Sequence, residues 1–190
     1  MQLRHVFGLL IVAALPLLGG CVAAAVGGAA VGGVLMAEDR RTVGTMTEDQ
    51  GIELRTSSRL DDKLRSAHIN ITSYNRMVLL SGEVPNAAAR EDAERIARAV
   101  DNVRGVYNET QIAGNSAMTS RTNDSYITTK VKARFVDWKN FSPVHVKVVT
   151  ENSTVFLMGM VRRAEADAAT DIARTTGGVQ KVVRLFEYLD

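Results

Sequence analysis

The sequence predicts an α+β protein made of two tandem copies of one small α-β-β-α-β unit, each a three-stranded mixed sheet packed on two helices. Three observations predict it. Ile69–Val84 (INITSYNRMVLLSGEV) and Val146–Val161 (VKVVTENSTVFLMGMV) align at a constant shift of 77 positions, so that Asn75 meets Asn152, Val78-Leu79-Leu80 meets Val155-Phe156-Leu157, and Gly82 meets Gly159. Each block is followed by a helical stretch containing Ile-Ala-Arg, at Ile96-Ala97-Arg98 and Ile172-Ala173-Arg174. Each copy then closes on an apolar run, Val103–Ile112 and Val179–Tyr188. A length of 190 residues suits one domain, but the self-similarity asks for two of roughly 65 to 70 residues. Units that small bury a modest core, so the two are expected to dock.

The first twenty residues read as a leader. Arg4 gives a positive start, Val6–Leu18 is almost wholly apolar yet too short to span a bilayer comfortably, and Leu18-Gly19-Gly20 leads into Cys21. Small residues before the single cysteine of the chain resemble a bacterial lipobox, with Cys21 the lipidated first residue of the mature protein. No second cysteine exists to form a disulfide. Val22–Val34, built from Ala, Val and Gly, reads as a flexible stalk, and Glu38–Gln50 as a polar linker or extended segment. Residues 21–50 are therefore assigned to the lipidated cysteine and linker.

The first copy is placed at residues 51–114. Ile52, Leu60 and Leu64 share one helical face, and Ile69, Ile71 and Ser73 alternate with polar residues as in a strand. Tyr74-Asn75-Arg76 reads as a tight turn, where Asn tolerates the left-handed region. The unbroken Val78-Leu79-Leu80 of the returning strand asks for cover on both faces. Gly82 and Gly159 interrupt the same strand in each copy and are read as structural glycines. Pro85-Asn86 starts a helix with an alanine-rich stripe, and Val106–Ile112 is the third strand.

Residues 115–123 read as an inter-domain linker, and the second copy is placed at 124–190, with Asp124 or Ser125 as the helix cap. Ile127, Val131 and Phe135 give that helix its core face, followed by an insertion carrying Trp138, Phe141 and Pro143. Gly177-Gly178 is expected to end the last helix.

Catalysis has little support. Outside the leader the histidines are His68 and His145, equivalent positions that duplication explains, so no metal ion, cofactor or catalytic residue is expected. The paired acids lie among Arg and Lys and read as solvated faces. A net charge of +2, with 46% hydrophobic and 23% charged residues, describes a globular protein rather than a nucleic-acid binder. On the first helix of the second copy, Tyr126, Lys130, Ala133, Arg134 and Val136 point away from the core face, and Trp138 follows. Rings interleaved with cations suit a lipid headgroup layer, and equally suit a face packed against the other copy.

The order of elements, with Val78-x-Leu80-x-Gly82, Ile96-Ala97, Val103, Val106 and Asn108 in one copy and Val155-x-Leu157-x-Gly159, Ile172-Ala173, Val179 and Val182 in the other, resembles the BON domain. The lipobox and the run Tyr126–Val131 are similar to those of dual-BON outer-membrane lipoproteins. The resemblance implies a non-enzymatic, palmitate-bearing protein anchored in the inner leaflet of the outer membrane, since Val22 and Ala23 carry no inner-membrane retention signal. It implies binding of anionic, phosphatidylglycerol-like phospholipid and support of membrane integrity near division sites. Lipid contact then falls on Tyr126, Thr129, Lys130, Ala133, Arg134, Val136 and Trp138. An adaptor for an envelope protein, such as an assembly machine or an amidase activator, is the other reading.

Overall fold

The computed structural model describes residues 38–114, 118–138 and 141–190. The leader, Cys21, the stalk and the start of the second linker lie outside the described residues. Arg40–Asp190 forms one compact unit that holds both copies.

In the first copy, α1 (Val43–Lys63) leads to the hairpin β1 (His68–Tyr74) and β2 (Met77–Val84), then α2 (Ala87–Arg98), β3 (Gly105–Asn108) and β4 (Gln111–Ile112). The second copy runs α3 (Met118–Val136), a single 3-10 turn (Pro143–His145), β5 (Val146–Glu151), β6 (Thr154–Val161), α4 (Arg163–Arg174) and β7 (Lys181–Tyr188). In each sheet the second strand is central, antiparallel to the first and parallel to the last. The third strand of copy one is not continuous over Val106–Ile112. It breaks at Glu109-Thr110, where Asn108 Oδ1 accepts from the buried Thr110 hydroxyl at 2.7 Å.

Both first helices start earlier than their apolar period suggests. Val43–Gln50 is helical rather than linker, and α3 begins at Met118 rather than at Asp124. The buried positions of α1 are Asp49, Ile52, Thr56 and Leu60; those of α3 include Asp124, Ile127, Val131 and Phe135. The series begins at an aspartate in each copy, so hydrophobic periodicity does not see the first turns.

Those aspartates have a defined task. The hairpin turns carry left-handed residues without glycine, Asn75 (φ 50°) and Arg76 (φ 64°) in one copy, Asn152 (φ 47°) and Ser153 (φ 59°) in the other. Such turns match the twist of the strands but strain a side-chain-bearing residue. Asp49 accepts from the backbone N–H of Asn75 (2.9 Å) and Arg76 (2.7 Å) and from the Ser73 hydroxyl (2.7 Å). Asp124 accepts from the N–H of Asn152 (2.9 Å) and Ser153 (2.8 Å). Asp124 is thus a mid-helix turn acceptor, not a helix cap. Each bond is charge-assisted and ties the helix to the hairpin it packs on.

The two sheets meet face to face, with helices on the outer faces. Val78 and Leu80 face α1 and α2, Val155 and Leu157 face α3 and α4, and between the sheets lie Tyr74, Leu79, Phe156, Met158 and Leu185. This explains the unbroken apolar strands. Both faces of each central strand are covered, one by helices and one by the other copy.

Replacing Asp49 by Ala leaves two turn N–H groups without their acceptor, and is expected to cost about 2–4 kcal/mol in chemical denaturation. Asp49→Asn, which keeps one carbonyl oxygen, is expected to cost clearly less.

Candidate functional site

Helix α3 turns Ile127, Val131 and Phe135 inward, each 1% exposed or less, and leaves large apolar side chains outside: Tyr126 is 63% exposed, Val136 70% and Trp138 42%. Thr129 and Ala133 are exposed between them. The Lys130 ammonium lies 4.6 Å from the centroid of the Tyr126 ring, within cation–π range. Reading the two first helices in register through Asp49 and Asp124, Tyr126 corresponds to Gly51, Val136 to Asp61 and Trp138 to Lys63. The exposed rings therefore belong to the second copy alone; α1 leaves Val43 and Leu54 outside, 59% and 73% exposed, but carries no aromatic residue.

The cations lie outside the core, as their helical positions require, and their head groups are engaged as well. Lys130 Nζ donates to the Gly177 carbonyl, and Arg134 Nη1 donates to the Ile172 carbonyl and the Thr176 hydroxyl, both at 2.8 Å. They satisfy carbonyls at and beyond the C-terminus of α4 and face the negative end of its dipole. Copy one does the same: Arg59 donates to the Ala99 carbonyl at 2.7 Å and Arg55 approaches that of Asp101 at 3.5 Å. Lys130 and Arg134 are thus shared architecture, and the rings distinguish the copies.

Gly82 and Gly159 serve the backbone. A Cβ on Gly82 would stand 2.1 Å from the His68 carbonyl oxygen, and one on Gly159 2.3 Å from that of His145. Gly82 also has φ 106°, a conformation open mainly to glycine. Gly177-Gly178 follows the cap of α4, which is Thr175, rather than forming it.

The two margins of the sheet–sheet interface carry the buried charge. At one, Arg40 makes a bidentate pair with Glu165, both bonds 2.7 Å, and donates to the Met160 carbonyl at 2.7 Å. Arg41 binds Asp49 at 2.9 Å, and its guanidinium carbon stands 4.0 Å from the Tyr74 ring centroid. The hydrogen bond from Arg40 holds the Glu165 carboxyl below its ordinary value, and the same bond raises Arg40. His145 Nδ1 lies 3.8 Å from Glu165. At the other margin, His68 Nδ1 is 3.2 Å from Glu83, and Asn70 donates to Glu151 at 2.6 Å. Burial pushes the Glu151 carboxyl up, against the Asn70 bond and with Glu83 adding repulsion. His68 and His145 share no site.

The two copies seen in the fold coincide with two matches to one family. The sequence matches the BON domain over residues 48–114 and 123–190, and the chain belongs to the BON-domain family. Within that family it is a dual-BON chain of the DolP type. It is 39% identical over 175 residues to Outer membrane lipoprotein DolP of Haemophilus influenzae, covering 90% of each chain. It is 36% identical to a 21 kDa hemolysin of Actinobacillus pleuropneumoniae, covering 80% of this chain and 79% of that one. Osmotically-inducible protein Y of Escherichia coli is 29% identical, over 74% of this chain and 72% of its own length.

Two outcomes follow. Lys130→Glu with Arg134→Glu places two carboxylates against α4 carbonyls, so the doubly reversed chain is expected to melt lower than the wild type rather than fold unchanged. For Arg40 and Glu165 the sign is fixed by the lowered carboxyl. The stability it contributes is present above the ordinary glutamate value of 4.5 and is lost as pH falls through the lower folded value. The stability advantage of wild type over Arg40→Ala should therefore hold from neutral pH to about 5 and shrink in more acidic solution, followed by denaturant midpoints.

Proposed function

We propose that this chain is an outer-membrane lipoprotein, anchored through acyl groups on Cys21 and facing the periplasm, that binds anionic phospholipid through the outer face of α3. It acts without catalysis, as a membrane-organising module supporting outer-membrane integrity, including at division sites. Support for the anchor comes from the leader pattern ending at the sole cysteine and from the relative named an outer membrane lipoprotein. Among the described residues no helix is long and apolar enough to cross a membrane.

One observation carries the lipid reading: Tyr126, Val136 and Trp138 are exposed on and just after a single helix, with Lys130 beside the Tyr126 ring. A ring at the interface supplies apolar area and a polar tip, while each nearby cation contributes about 1 kcal/mol against an anionic leaflet. Such binding is weak alone. It suffices for a protein already held at the surface, because the tether makes the contact intramolecular.

The chain from residue 38 to 190 is expected to float with phosphatidylglycerol-containing vesicles and not with phosphatidylcholine vesicles, and to be released by high salt. Tyr126→Ser and Trp138→Ser should each weaken binding several-fold without moving the melting temperature, since neither side chain is in the core. Equal binding to both vesicle types, or ring variants that bind like wild type, would discard the α3 face. Isolated copies are a poor test, because separating them exposes Leu79, Phe156, Met158 and Leu185.

A further inference from the structure

We infer that the interface margin formed by His68, Glu83 and Glu151 is a site for one divalent transition-metal cation of the zinc class. His68 and Glu83 are cross-strand partners on β1 and β2 of the first copy, and Glu151 ends β5 of the second. Each offers one ligand atom, and the three atoms lie within 4.8 Å of one another. Both carboxylates are more than nine-tenths buried, Glu83 being 6% exposed and Glu151 7%. One imidazole nitrogen and two carboxylate oxygens form a donor set suited to zinc, whereas calcium takes oxygen ligands only. Bond lengths of about 2.0–2.2 Å put ligand atoms roughly 3.3–3.5 Å apart, so closure around the ion asks for a movement of about 1 Å.

The comparison between the two margins argues for a cation. At the shift of 77 positions, His68 corresponds to His145, Glu83 to Met160 and Glu151 to Tyr74. That equivalent margin already holds a positive group: Arg40 lies on Glu165 and the Met160 carbonyl, and Arg41 covers Tyr74. The His68 margin gathers two carboxylates in the places of a methionine and a tyrosine. The neighbours fixed around Glu151 are Asn70 at 2.6 Å, the Ser81 hydroxyl at 3.5 Å and the His68 imidazole. Duplication explains the histidine and neither glutamate. Access is present too, since His68 and Glu151 line a cleft of about 410 Å³ between β1, β5 and α3. Because the ligands come from both copies, the bound ion would clamp the two sheets.

The test uses the untagged full-length chain in detergent, stripped with chelator and dialysed against zinc chloride at neutral pH. The expected result is one zinc per chain by elemental analysis, with a rise in melting temperature that chelator reverses. His68→Asn and Glu151→Gln should each weaken zinc binding at least tenfold while keeping a cooperative metal-free melt, and His145→Asn should bind as wild type does. As a readout that needs no variant, cobalt(II) added to the stripped chain should give the intense visible absorption of a tetrahedral site. Substoichiometric zinc, His68→Asn and Glu151→Gln variants that bind like wild type, or a cobalt spectrum that stays that of the hydrated ion would each overturn the assignment.

Discussion

The packing of Leu79 against Phe156, Met158 and Leu185 is the contact on which the rest depends. A three-stranded sheet with helices on one face leaves its other face to water unless something covers it. Here each copy covers the other. That choice requires apolar residues on both faces of β2 and β6, which is why Val78-Leu79-Leu80 and Val155-Phe156-Leu157 do not alternate. It also fixes register, because a one-residue slip in either hairpin would exchange the helix-facing and sheet-facing sets. The turns that set this register are the two held by Asp49 and Asp124.

Duplication offers an internal control. Features present in both copies are accounted for by the fold: the turn-binding aspartates, the basic pair at the second helix terminus (Arg55 and Arg59, Lys130 and Arg134), and the glycines that pass under a carbonyl. Features present in one copy need another cause. Tyr126 and Trp138 stand where the first copy has Gly51 and Lys63, and Glu83 and Glu151 stand where the equivalents are Met160 and Tyr74. By this criterion the rings of α3, and not its cations, form the specific part of the candidate lipid face.

Much of this was legible in the sequence. The repeat at 77 positions, the hairpins, both glycines and the core residues Ile127, Val131 and Phe135 all follow from spacing and turn chemistry. The start of each first helix was not, because its innermost residue is a carboxylate bonded to a distant turn, which periodicity counts as polar. Lys130 and Arg134 read as solvent-facing because helical angle places them outside. Their reach to carbonyls some forty residues onward is a tertiary fact. The His68 cluster leaves no motif at all, since its three members come from three strands in two copies and meet only when the sheets dock.

The two margins of that docked interface face one electrostatic problem. Polar groups at the rim of an apolar contact are partly desolvated, and a carboxylate there is tolerated only when matched. The Arg40 margin matches its charge from within the chain, through residues that immediately precede α1, so the segment leading into the unit is pinned to the second copy while Arg41 holds the first. Any pull transmitted along the chain from its N-terminal side thus reaches both copies through two adjacent residues, rather than through α1 alone. At the opposite margin burial raises the Glu151 carboxyl, against the Asn70 hydrogen bond and the nearby His68. A cation held by His68, Glu83 and Glu151 would make the junction between the copies stiff at both margins rather than at one.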